Sequence, residues 1–238
     1  MGDLSADLAP TGVLRAAVNL GNPVLAHGTP DQPGGITVDL AREVAARLGV
    51  PVEFTCFDAA RKSFEALTSG AADLSFLAIE PARAAEVAFT PPYVVIEGVY
   101  AVPEDSPLNT PADVDRPGVR IGVKQGSAYD LYLTRTLQQA TIVRGADGVT
   151  AFEEQGLEVA AGIRQPMTAY AEAHPGVRLI GERFMQIRQA VATRPNRRPE
   201  TLAFLSGLVE ELKATGFVAE SLRRAGQSAT LVAPPSES

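Results

Sequence analysis

Apolar spacing along the chain switches repeatedly between a strand-like alternation and a helical repeat. Leu14-Arg15-Ala16-Ala17-Val18 reads as a first strand, followed by a loop rich in glycine and proline that ends at Gly34-Gly35. Leu40, Ala41, Val44, Ala45 and Leu48 then fall at helical spacing, with Thr37 placed to cap the helix and Gly49 to end it. Val50-Pro51-Val52-Glu53-Phe54 predicts the next strand, and a short helix carrying Phe64 and Leu67 stops near Gly70. Leu74-Ser75-Phe76-Leu77-Ala78-Ile79 is almost wholly apolar, as a strand covered on both faces should be. Strands alternating with amphipathic helices predict a mostly parallel sheet with right-handed crossovers.

The pattern changes at 93–102, a long extended stretch suited to a connection between two lobes. Thr110-Pro111-Ala112-Asp113 follows, a capping threonine with proline at the first helical position and an acid at the third. A second α/β series begins there, with strands at 119–123, 141–143, 157–161 and 177–180. Helices from Ser127 and at 150–155 and 166–173 lie among them. Residues 186–192 carry the chain back, and helices at about 199–214 and 217–225 pack on the first lobe. The tail 234–238 is expected to fray. The predicted lobes are 1–96 with 187–238, and 97–186.

A length of 238 residues suits two α/β lobes of about 100 residues each. The 45% hydrophobic content excludes a disordered chain, and no apolar run reaches the roughly 18 residues of a membrane span. A net charge of -7 without a basic block argues against a nucleic-acid partner. The one cysteine, Cys56, cannot form an internal disulfide and reads as a small buried hydrophobe. His27 and His174 lie far apart and no CxxC or HExxH spacing occurs, so neither a metal nor another cofactor is expected. The opening Met1-Gly2-Asp3-Leu4-Ser5 lacks the basic and apolar regions of a secretory signal. Removal of such a signal and residence in the cytoplasm are both compatible with it.

The order of segments resembles that of the family-3 periplasmic solute-binding proteins, the amino-acid receptors of ABC importers. The resemblance runs from about Thr11 to Gln227. It is carried by Gly35-Ile36-Thr37-Val38-Asp39-Leu40-Ala41, by Pro81-Ala82-Arg83-Ala84 with Phe89-Thr90-Pro91-Pro92-Tyr93, and by residues 119–127, Val119 to Ser127. It implies a two-lobed periplasmic-binding-protein type II fold, two α/β lobes joined by two extended crossovers with the ligand enclosed in the cleft. It also implies a monomer in the periplasm, with a membrane permease as partner.

Under that resemblance Arg83 occupies the place of the arginine that grips the ligand carboxylate, a task suited to a planar guanidinium with parallel donors. Gly126, Ser127 and Ala128 open a helix whose free amides are expected to meet an anionic group. Ser127 with Asp130 also makes a plausible capping box. Phe57 and Tyr93 are candidate cleft walls. The departures are more telling. Phe76 and Ala78 stand where the family presents hydroxyls, and Asn22 where an aromatic often covers the ligand. Asn19 and Arg164 replace two acids that hold an α-ammonium, whereas Glu97 and Asp58 read as solvated acids. An ammonium beside two arginines with no carboxylate would be costly to bury. A small anionic solute, a carboxylate or dicarboxylate, is therefore expected rather than a standard α-amino acid. Two alternatives remain: a cyclohexadienyl-dehydratase-like enzyme on the same fold, for which the expected cleft supplies no clear proton donor, and a cytoplasmic or tethered sensor.

Overall fold

The computed structural model describes residues 2–237, and Met1 and Ser238 lie outside them. The chain divides into two compact units, one formed by residues up to Val95 together with those from Arg188 onward, the other by Ile96–Ile187.

The first unit opens with α1 (Gly2–Leu8), β1 (Leu14–Asn19) and a hairpin of β2 (His27–Thr29) and β3 (Gln32–Gly34). Helix α2 (Ile36–Leu48), β4 (Val52–Phe57), α3 (Ala60–Thr68), β5 (Leu74–Ala78) and α4 (Pro81–Ala84) follow, and the chain leaves along β6 (Ala88–Pro103). The second unit adds α5 (Pro111–Val114), β7 (Arg120–Lys124), α6 (Ala128–Thr136), β8 (Thr141–Gly145), α7 (Gly148–Gln155), β9 (Val159–Ile163) and α8 (Arg164–Ala173). The chain returns along β10 (Val177–Thr193) and ends in α9 (Pro199–Ala214), α10 (Phe217–Arg224) and a 3-10 turn at Ala229–Leu231.

In the first unit the strand order is β4-β1-β5-β10. Strand β1 runs parallel to β4, with Asn19 opposite Phe57, and parallel to β5; β10 returns antiparallel to β5. The second unit repeats the scheme as β6-β9-β7-β8, with β7 parallel to β8 and β9, and β6 antiparallel to β9. Right-handed crossover helices place the carboxyl ends of the parallel strands along one edge of each unit, where α/β proteins bind their ligands.

The opposite, amino edge carries a matched ionic device in each unit. In the first, Arg15 donates to Asp73 from its backbone N and Nε, each at 3.0 Å, and from Nη2 at 2.8 Å. Arg197 reaches the same carboxylate at 3.5 Å, and the Asp73 side chain is only 1% exposed. In the second, Arg120 donates to Glu158 from backbone N (2.8 Å), Nε (3.0 Å) and Nη2 (2.8 Å), but the Glu158 side chain is 38% exposed. The arginine lies on the middle strand of each parallel trio and the acid directly precedes a neighbouring strand, so each device ties two neighbouring strands in register.

Three local expectations need correction. Thr37 does not cap α2: it lies inside the helix, buried, and Gly35 is the cap at φ 100°. A side chain at Gly35 would stand 2.6 Å from the Leu25 carbonyl oxygen in a left-handed backbone region, so only glycine fits there. The tail is held as far as Ser236 rather than frayed, Ser238 lying outside the described residues: Lys213 Nζ donates to the carbonyls of Pro92 (3.1 Å) and Pro234 (2.9 Å), Ala233 N donates to Tyr93 O (3.0 Å) and Ser236 Oγ donates to Glu210 (2.6 Å). Finally, the two extended pieces expected at 177–180 and 186–192 are one strand, β10.

Equal geometry at unequal burial gives a test. Asp73→Ala leaves Arg197 in a buried place without its carboxylate and is expected to cost about 3 kcal/mol in denaturant unfolding. Glu158→Ala removes a water-exposed pair and is expected to cost about 1 kcal/mol or less. Equal losses would show that burial does not set the strength of the device.

Candidate functional site

Each unit gathers most of the expected ligand-contacting residues on its carboxyl edge. In the first unit, Asn19 and Phe57 end β1 and β4 in mutual register, and Ala78 ends β5. Glu80 then stands at the N-cap position of the one-turn helix α4 without a side-chain capping bond, Pro81 takes the first position, and this turn carries Arg83 back toward the end of the strand. Arg83 is 3% exposed and donates from Nη1 to the Ala78 carbonyl at 3.2 Å. Burial pushes its pKa down to about 10, opposed by the nearby Glu80 carboxylate, so the guanidinium is still charged at neutral pH. Glu80 is itself buried, at 3% exposure. Sequence reasoning missed it; its place three residues before Arg83 in Glu80-Pro81-Ala82-Arg83 is the signal that could have found it.

The other first-unit residues take plainer roles. Asn19 Oδ1 accepts from the Gly21 amide at 2.8 Å and Asn22 Oδ1 from Val24 at 3.3 Å, so both asparagines shape the turn after β1. Phe76 meets Tyr93 edge to face, with ring centres 6.3 Å apart, and both are buried. Tyr93 is fully enclosed, and burial raises the pKa of its hydroxyl; this ring is core, not an exposed cleft wall. Phe57 borders an open hollow of about 410 Å³ together with Leu20, Pro30, Cys56 and the Asp58–Lys62 ion pair (2.7 Å). Cys56 is half-buried, and desolvation raises the pKa of its thiol.

In the second unit, Gly126, Ser127 and Ala128 follow β7 as expected, and Ser127 Oγ caps α6 by accepting from Asp130 N at 3.1 Å. The amides expected to face a ligand are partly spent. Gly126 N donates to Asp130 Oδ2 at 2.8 Å, and Ser127 N to the Lys124 carbonyl at 3.1 Å. Arg144 Nε donates to both Asp130 oxygens at 3.0 Å.

Arg164 follows β9 directly and opens α8. Its Nε donates to Glu97 Oε2 in a close contact, and its Nη2 donates to the Gly181 carbonyl at 3.0 Å. Arg183 Nη1 donates to Glu97 Oε1 at 3.1 Å. Against a desolvation that would raise it, these two guanidiniums hold the Glu97 pKa below the usual carboxylate range. Arg164 therefore has a carboxylate beside it, and the expectation that no carboxylate stands near this arginine is corrected. Glu97, expected to be a solvated acid, is the hub of the cluster: the Gly98–Ile163 pairing of β6 with β9 sets it beside Arg164.

The family description "Bacterial extracellular solute-binding proteins, family 3" matches residues 14–227, and the chain belongs to that family. No curated protein sequence matches it. Among solved structures it is similar to a mutant of ArgBP from T. maritima at 20% identity, covering 94% of this chain and 99% of that one, with a TM-score of 0.76. The solute receptor for L-cysteine of Neisseria gonorrhoeae matches at 21% identity over 93% and 92% of the two chains, TM-score 0.77. An ancestral amino acid-binding protein, AncCDT-1, described as a precursor of cyclohexadienyl dehydratase, matches at 22% identity over 94% and 99%, TM-score 0.74. The fold is thus the α/β periplasmic-binding-protein type. Among the described residues no helix is long and apolar enough to cross a membrane.

The raised Cys56 pKa is directly testable. At pH 8 Cys56 is expected to react with iodoacetamide several-fold more slowly than glutathione, because less of it is thiolate, with the rate rising steeply toward pH 9 and above. Equal rates, read by intact mass, would show that the hollow leaves the thiol fully solvated.

Proposed function

We propose that the chain is the substrate receptor of an ABC-type importer and works outside the cytoplasmic membrane. Its solute is a small organic anion held through a carboxylate by Arg83. Family membership supports the receptor role. The observation that carries the ligand reading is a charged, almost fully enclosed guanidinium at the carboxyl end of β5. Keeping such a charge out of water is expensive, and a carboxylate receiving two parallel N–H donors repays that cost better than a neutral acceptor does. The amino acids named for the similar structures share one group, an α-carboxylate, which the arginine suits. The excess of guanidinium over carboxylate around Glu97 favours a solute of net negative charge.

Binding rather than catalysis fits the acids present. Dehydration and decarboxylation of cyclohexadienyl acids need a proton donor with a raised pKa. Glu97, an acid at the second unit's carboxyl edge, is shifted the other way and stays ionised at neutral pH. Incubation with prephenate or arogenate is expected to leave both unchanged, and enzyme-dependent product would overturn this reading.

A thermal-unfolding screen of monocarboxylates, dicarboxylates, amino acids and organic phosphates tests the receptor reading. A true ligand at about 100 times its Kd should stabilise the protein by about 2.7 kcal/mol. Arg83→Met should abolish the response of that ligand while ligand-free unfolding stays cooperative. Arg83→Lys should not restore it, because an ammonium lacks the two-pronged geometry. A solute that binds Arg83→Met as tightly as the native chain removes Arg83 from the site.

A further inference from the structure

We infer that Glu97 is a latent ammonium acceptor masked by Arg164 and Arg183, and that this masking makes the second unit select an anionic group and refuse an ammonium. The inference rests on the receptor reading above and adds the residues that set charge selectivity.

The geometry is that of one carboxylate shared by two cations. Each Glu97 oxygen already receives a charged donor, Oε2 from Arg164 and Oε1 from Arg183. Arg164 is fixed further by its bond to the Gly181 carbonyl. Two positive charges against one negative leave the cluster with one net positive charge. The side chains of Glu97, Arg164 and Arg183 are 30%, 32% and 48% exposed, so a small solute has access to them. Their place is also the right one: Arg164 follows the carboxyl end of β9, and Glu97 precedes the Gly98–Ile163 pair that ends the same strand pairing.

Charge sign follows from this arrangement. An approaching ammonium meets two guanidiniums and a carboxylate whose oxygens are occupied, and like charges brought together cost several powers of ten in affinity. An approaching carboxylate or phosphate meets a net attraction and preorganised donors. Stability is a poor explanation for the cluster, since half-exposed ion pairs contribute little to folding. For the same reason the relevant variants should fold.

The test is calorimetric titration of the native chain and three variants with two panels: succinate and glutarate, then L-alanine, L-glutamine and L-arginine. The native chain should prefer the dicarboxylates. Arg164→Gln/Arg183→Gln uncovers Glu97, and should lose roughly ten-fold or more in dicarboxylate affinity while gaining at least as much toward the amino acids. Glu97→Gln should tighten the dicarboxylates and gain no amino acid. Arg164→Lys/Arg183→Lys keeps the charges and should keep the preference, which a purely structural role for the arginines would not predict. An unchanged ligand-free unfolding midpoint confirms that each variant is folded. Amino acids binding the native chain as tightly as the double glutamine variant, or a double variant that keeps its preference for dicarboxylates, would overturn the inference. In that case Arg83→Met still abolishes binding and the receptor reading stands. A native chain that binds neither panel overturns the inference, and the receptor reading is then decided by the wider thermal-unfolding screen.

Discussion

The buried Asp73 carboxylate ties distant segments of the first unit to one point. It joins segments 58 and 124 residues apart in sequence, Arg15 on β1 and Arg197 beyond β10. A carboxylate with 1% exposure has given up its hydration, so the native state depends on every donor that replaces the lost water. Because Arg15 binds it through both backbone and side chain, β1 cannot slip past β5 without stranding the charge. Thr193 Oγ1 adds a bond to the Asp73 carbonyl at 2.9 Å and fixes the returning strand on the other side of β5. Register set at the amino edge is register set at the carboxyl edge, where Asn19, Phe57 and Ala78 end their strands. The second unit uses the same construction through Arg120 and Glu158, closer to water and so under weaker constraint.

Much of this was legible along the chain. The parallel strands and their crossover helices declare themselves because a strand covered on both faces is a nearly unbroken apolar run, as at Leu74–Ala78, and because Gly49 marks where α2 must stop. The β2–β3 hairpin was not legible: its strands have three residues each and carry glycine and Pro33, so no alternation has room to develop. The anchored tail was missed for a different reason. Lys213 reaches Pro92 and Pro234 through the fold, and nothing local to residues 234–238 records that contact.

The site divides in the same way. The place of Arg83 just after β5 was readable from its motif, whereas Tyr93 was not assignable to wall or core, since an aromatic in a strand covered on both sides has no face marked by polarity. Glu97 shows the limit most clearly. A single acid in an apolar strand looks solvated until strand pairing places Arg164 opposite one oxygen and Arg183 opposite the other. Its role is a property of register, and register is not a local feature of sequence.

A consequence follows for how the chain can recognise charge. Helix starts are ready anion sites only while their amides are unspent. At α6 the Gly126 amide is taken by Asp130 and the Ser127 amide by Lys124, and the Asp130 carboxylate sits within that same first turn. Backbone dipoles there are largely answered from within. Selection by charge then passes to side chains, and the arginines at both carboxyl edges are held beside acids, Glu80 near Arg83 and Glu97 against Arg164. An arginine so partnered is already oriented, so a solute need not order it on arrival. The partner acid also trims the field, which keeps each site from attracting every anion in solution. On the proposed reading, discrimination then depends on how many guanidiniums share each carboxylate, and the second unit's two-to-one ratio is what would set it apart from a simple ion-paired surface.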